Sequence, residues 1–176
     1  MSKRALKKYV TELPKEELEL QLIALYERYP EVKKYYDFIF NPKEEALVQQ
    51  AKTKISYEYF PTRRKRARAR RSVAHKYIKE FRKLEMDPQW VAEVMLYNLE
   101  IAQVYEEKRP LADAFYKSMW KSYSEAVQFI TYHHLKGEFE TRLKKILETV
   151  QQREWPFESE FTRVYDLLEE ETGLTN

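Results

Sequence analysis

The chain has 176 residues, of which 43% are hydrophobic and 35% charged, with a formal net charge of +3. With 26 aromatic residues it is too apolar to be disordered, and it is long enough to bury one sizeable core. No apolar run approaches the 18 residues of a membrane span, no cysteine is present for a disulfide framework, and the only two glycines, Gly137 and Gly173, lie 36 residues apart. That spacing excludes glycine-rich phosphate loops and the Gly-framed nucleophilic serine. Residues 1–8 lack the apolar stretch of a signal peptide, so a cytoplasmic protein is expected.

In chain order, the first expected helix covers 3–12. Pro14 opens a second, 14–28, with Glu16 and Glu17 in the first turn to suit the helix dipole and an apolar stripe at Leu18, Leu22, Leu25 and Tyr29. Pro30 opens 30–40. Asn41, Pro42 and Glu44 read as cap, first-turn proline and capping-box carboxylate for 42–60, whose stripe is Leu47, Ala51, Ile55 and Tyr59. Pro61 ends that helix.

A basic segment then leads into a helix expected at 67–86, with Val73, Tyr77, Phe81 and Leu84 on its apolar face. Asp87 and Pro88 repeat the cap-and-proline pattern for 88–107. Twelve of the 16 residues from 90 to 105 are apolar or aromatic, the exceptions being Glu93, Asn98, Glu100 and Gln103, so this helix is expected at the centre of the fold. Pro110 opens 110–121. Ser122 with Glu125 reads as a capping box that breaks the stretch before 124–135. Helices at 138–154 and 156–170 follow, with Gly137 and Gly173 at positions suited to helix C-caps.

The expected fold is therefore all-α: about ten helices joined by short links into consecutive antiparallel αα-hairpins, in a single domain covering 1–176. An irregular bundle is preferred over a short superhelix, because no fixed-period repeat is visible.

Several strings resemble those of a family of small, uncharacterised bacterial proteins of the domain-of-unknown-function type. They are Ser2-Lys3-Arg4-Ala5-Leu6-Lys7-Lys8-Tyr9, Tyr35-Tyr36-Asp37-Phe38, Asn41-Pro42-Lys43-Glu44, Ala69-Arg70-Arg71-Ser72-Val73-Ala74 and Ala114-Phe115-Tyr116-Lys117-Ser118-Met119. The resemblance implies a bacterial, all-helical, single-domain protein. It implies no activity and supplies no site residues.

Catalytic and metal chemistry find little support. Adjacent His133 and His134 would point about 100° apart on a helix, His75 lies far away in sequence, and no Glu stands three residues before a histidine. Neither a metal nor a cofactor is expected, and no nucleophile with a base at a useful spacing is found. Glu93 and Glu100, seven apart on the most apolar helix, could form an acid–base pair, but structural acceptors for Arg or Tyr are the better reading.

The feature that asks for a function is basic. Arg63, Arg64, Lys65, Arg66, Arg68, Arg70 and Arg71 supply seven cations in nine residues, leaving −4 on the other 167. At the start of a helix these charges oppose the dipole, so something anionic should compensate them. Internal partners are expected at Glu106 and Glu107, with Glu100 near Arg70 and Arg71 and the acidic residues 166–171 in reserve. External candidates are nucleic acid or an acidic protein surface, with Tyr57, Tyr59 and Phe60 placed to stack bases. The expected protein is a non-enzymatic helical binding or adaptor protein; the alternative is a nucleic-acid-binding protein using these seven residues.

Overall fold

A computed structural model describes residues 2–63, 66–108 and 110–173, with side chains as far as Glu169. Among the described residues there are nine helices and no strand: α1 (Lys3–Glu12), α2 (Lys15–Arg28), α3 (Pro30–Phe40), α4 (Glu44–Tyr59), α5 (Arg71–Lys83), α6 (Pro88–Glu106), α7 (Asp113–Tyr132), α8 (Lys136–Gln152) and α9 (Glu158–Gly173). The chain is all-α. No helix among the described residues is long and apolar enough to cross a membrane.

Local chemistry explains the starts of α1, α3 and α6, whereas Pro14, Pro42, Pro110 and Pro156, expected as first helical residues, stand one to three residues ahead of α2, α4, α7 and α9. Ser2 Oγ accepts from the Ala5 N–H at 3.3 Å, and Pro30 and Pro88 occupy first-turn positions where their missing N–H is harmless. Asp87 caps α6 by accepting from the Gln89 N–H at 3.0 Å. The box expected at Asn41 and Glu44 is not formed. Helix α4 starts at Glu44 itself, whose carboxylate instead accepts from the Asp87 N–H at 2.8 Å and ties α4 to the α5–α6 turn.

The expected break at Ser122 is absent, which reduces ten helices to nine. Ser122 and Glu125 direct their side chains to α5 rather than to their own backbone, so α7 runs unbroken for 20 residues. Gly137 closes no helix either; it lies in the first turn of α8. Glu85, His134 and Glu154 take the left-handed position after α5, α7 and α8, with φ of 55°, 58° and 50°. In each case the following residue reaches back five positions: Met86 to Phe81, Leu135 to Ile130 and Trp155 to Val150, at 2.9–3.1 Å. These Schellman closures put apolar pairs over the helix ends. A non-glycine residue is strained there. Glu85→Gly and Glu154→Gly are expected to raise stability by about 0.5–1 kcal/mol each, read as a higher denaturant midpoint. A lower midpoint would show that the side chains contribute more than the strain costs.

Contacts divide the chain into two compact units, residues 1–43 and 44–176. In the first, α2 and α3 pack as a hairpin, tied by Tyr26 Oη donating to Asp37 Oδ1 at 2.8 Å, while Gln21 Nε2 donates to Tyr9 Oη at 2.9 Å. None of the residues in α1, α2 or α3 is buried, and the stripe Leu18, Leu22, Leu25 and Tyr29 stays exposed.

The second unit holds the core. Helix α6 buries ten of its 19 residues and packs against α4, α5, α7 and α8, which makes it the centre. Within this unit the helix pairs with extensive packing are one or two apart in sequence, as expected for consecutive hairpins joined by short links. The four polar residues within the apolar stretch of α6 each have a partner. Asn98 accepts from Tyr59 Oη at 3.3 Å, Gln103 donates to the Ile146 carbonyl at 2.8 Å, and Glu93 and Glu100 both hold Arg142.

Candidate functional site

Helix α4 stops at Tyr59 ahead of Pro61, and α5 begins only at Arg71, four residues later than periodicity suggests. The end of this connector turns back over the last turn of α4. The backbone N–H groups of Arg68 and Ala69 both donate to the Glu58 carbonyl at 3.0 Å, with Ala69 left-handed at φ 48°. The Arg70 guanidinium forms a fork on the buried Glu58 carboxylate, Nε to Oε2 at 2.8 Å and Nη2 to Oε1 at 3.1 Å. Glu58 thus anchors the connector by backbone and side chain at once, and the bidentate pairing is the strong form of such contacts.

Arg71 reaches α7, donating from Nε to Ser122 Oγ at 2.7 Å and from Nη2 to Glu125 Oε1 at 2.6 Å. The expected internal partners are therefore wrong. Glu106 accepts from Tyr116 Oη at 3.0 Å and from Arg153 at 3.2 Å, Glu107 lies 3.9 Å from Arg153, and Glu100 grips Arg142. In a hairpin turning at Asp87, Glu106 would lie opposite Arg68 only if α5 reached back to residue 67. Once the chain leaves the helix at Arg71, the connector lies over α4 instead.

Of the seven basic residues, Arg64 and Lys65 lie outside the described residues, as do the side chains of Glu170 and Glu171. Arg70 and Arg71 are paired internally. Arg63, Arg66 and Arg68 are exposed, and their side chains make no ion pair or hydrogen bond among the described residues.

The cationic surface does not end at Arg71. Between residues 63 and 83 there are eleven lysines and arginines against a single acidic residue, Glu80, which leaves −7 for the rest of the chain. Lys76, Lys79 and Lys83 recur at helical spacing on α5, exposed and without ion pairs among the described residues. Sequence reading missed them because it followed local density. The signal was a 21-residue window with one acidic residue.

Helices α5 and α7 run side by side in the same direction: Arg71 meets Ser122, His75 Nε2 lies 3.3 Å from Glu125, and the Arg82 guanidinium sits over the Phe129 ring at 5.7 Å. The connector continues this alignment, since Arg68 borders a concavity of about 370 Å³ with Tyr105, Phe115 and Ser118. The cations from Arg68 to Lys83 thus follow α7 from Ser118 to Tyr132, about 21 Å of helix. Near the far end the two helices enclose an open groove of about 850 Å³, walled by Lys79, Arg82 and Lys83 on one side and Phe129, Tyr132 and His133 on the other. Glu125, the acidic residue in its lining, already holds Arg71 and faces His75. Burial and the neighbouring Arg71 push the His75 imidazole below its ordinary value of 6.5 against the pull of Glu125, so at neutral pH it is uncharged.

The remaining candidates resolve into structural roles. Lys52 and Arg142 both bind Glu93, and Arg142 Nε and Nη2 reach Glu100 at 2.7 and 2.9 Å, so the carboxylate pair is an arginine clamp. Tyr59 is a core residue, whereas Phe60 is half-buried, edge-on to Tyr105 at 6.0 Å with Lys108 over its ring at 5.5 Å. His133 packs on Phe129 at 4.3 Å and His134 occupies the turn after α7, so the adjacent histidines diverge.

A family model described as a family of unknown function, DUF6155, matches residues 1–169. No curated protein and no solved structure matches the chain.

Proposed function

We propose that the chain, which belongs to this DUF6155 family, is a non-enzymatic binding protein that takes the phosphate backbone of single-stranded nucleic acid along its cationic strip. The observation that carries the reading is the row of cations without internal partners among the described residues: Arg63, Arg66 and Arg68 on the connector, then Lys76, Lys79 and Lys83 on α5. Holding like charges together costs free energy in the free protein, and a polyanion removes that cost while releasing its counterions. Aromatic rings beside the strip favour nucleic acid over an acidic protein. Tyr105 and Phe115 line the concavity at Arg68, and Tyr132, 79% exposed, stands at the opposite end. Bases stack on such rings without regard to sequence.

Six phosphate contacts would give log K against log salt a slope of about −4 for a single strand. Replacing Arg63, Arg66 and Arg68 together with Gln is expected to flatten that slope by about 2. The melting temperature should stay unchanged, because these side chains are exposed and make no ion pair or hydrogen bond among the described residues. Binding that is insensitive to salt, or to the triple substitution, would remove the reading.

A further inference from the structure

We propose that the groove between α5 and α7 seats one nucleotide unit, its phosphate on Lys79, Arg82 and Lys83 and its base on the ring ledge formed by Tyr132 and His133, with the buried Phe129 behind them. This deepens the reading above and rests on it for the choice of a nucleotide among phosphorylated ring compounds. The groove's volume, about 850 Å³, lies in the range of small-molecule clefts, so a base, sugar and phosphate fit with room for water.

The two walls differ in chemistry and match the two ends of such a ligand. On α5, positions 79, 82 and 83 are three and four residues apart and converge on the same face. Two lysines act there as point charges, while Arg82 adds a planar fork suited to phosphate oxygens. The Arg82 guanidinium is held by the Phe129 face at 5.7 Å, which limits its freedom before any ligand arrives. On α7, Phe129 and His133 pack at 4.3 Å, and Tyr132 stands edge-on to His133 at 4.9 Å. That array leaves most of the Tyr132 ring open to solvent.

A purely anionic ligand would leave the ring ledge unused, and an apolar one would desolvate three cations without compensation. A flat ring carrying a phosphate uses both walls. The carboxylate in the lining, Glu125, is held by Arg71, so it does not cancel the attraction.

The test titrates the full chain by calorimetry with adenosine 5′-monophosphate, ribose 5-phosphate and inorganic phosphate. Adenosine monophosphate should bind about tenfold more tightly than ribose phosphate, the effect of stacking one base. Tyr132→Ala should abolish that advantage and leave ribose phosphate unaffected. Lys79→Gln with Lys83→Gln should weaken both phosphorylated sugars at least about tenfold. Arg63→Gln with Arg66→Gln and Arg68→Gln should leave the advantage of adenosine monophosphate over ribose phosphate unchanged. Equal binding of adenosine monophosphate and inorganic phosphate, or indifference to the lysine pair, would overturn the groove. Loss of mononucleotide binding with strand binding intact would refute the groove and spare the strip. Mononucleotide binding without strand binding would support the groove and refute the strip.

Discussion

Leu96→Ala is expected to lower the unfolding free energy by about 2–5 kcal/mol. Leu96 is fully buried on α6, the helix that touches α4, α5, α7 and α8, so the lost methyl groups leave a cavity that four neighbours cannot close together. Ile101 on the same helix is only half-buried, and Val104 is exposed. Their alanine variants should fall in the order Leu96, Ile101, Val104, with the last near zero. Denaturant unfolding of the three measures this directly. Equal small losses at all three would show that α6 is not the centre of the second unit.

Arg142→Met should cost about 1–3 kcal/mol, less than a fully buried pair because the Arg142 side chain is 29% exposed and that of Glu100 36%. The substitution keeps the apolar bulk of the stem and removes the cation that joins Glu93 to Glu100. Burial pushes the Glu93 carboxyl up, but hydrogen bonds and charge from Lys52 and Arg142 outweigh it and hold its pKa below the ordinary 4.5. A depressed carboxylate contributes stability that is complete above its unfolded value and is lost as pH falls through the lower folded value. The wild-type protein should therefore lose stability on acidification below about 4.5, and Arg142→Met should show a shallower acid limb. Adding Glu100→Gln to Arg142→Met should recover part of the loss, since it removes the stranded charge. No recovery would mean that the clamp acts by packing alone.

The cationic site was half legible. Seven basic residues in nine stood out by density, and that part rests on composition alone. The extension to Lys76, Lys79, Arg82 and Lys83 was written in the same string but diluted by the apolar residues that α5 must carry. Which cations are consumed could not be read, because Arg70 meets Glu58 12 residues away while Arg71 meets Glu125 54 residues away. Those pairings depend on a backbone reversal at Ala69, a non-glycine residue with no local signature of a left-handed turn.

The all-α class and the starts of α1, α3 and α6 are local properties of the chain. Prolines at first-turn positions, the caps at Ser2 and Asp87, and the 3.6-residue spacing of Ala51, Ile55 and Tyr59 act within a turn or two of backbone. Their partners are therefore always nearby in the chain. The buried centre at α6 was visible for the same reason, since a helix apolar all round has no face to give to water. What the polar side chains do depends on which helices meet in the folded chain. Ser122 and Glu125 could cap a local helix or bind a distant arginine with similar hydrogen-bonding capacity, and the arrival of Arg71 on α7 selects the second. The parallel alignment of α5 with α7 likewise comes from both packing against α6, and it is this alignment that sets the rings of Phe129, Tyr132 and His133 beside the cations of α5.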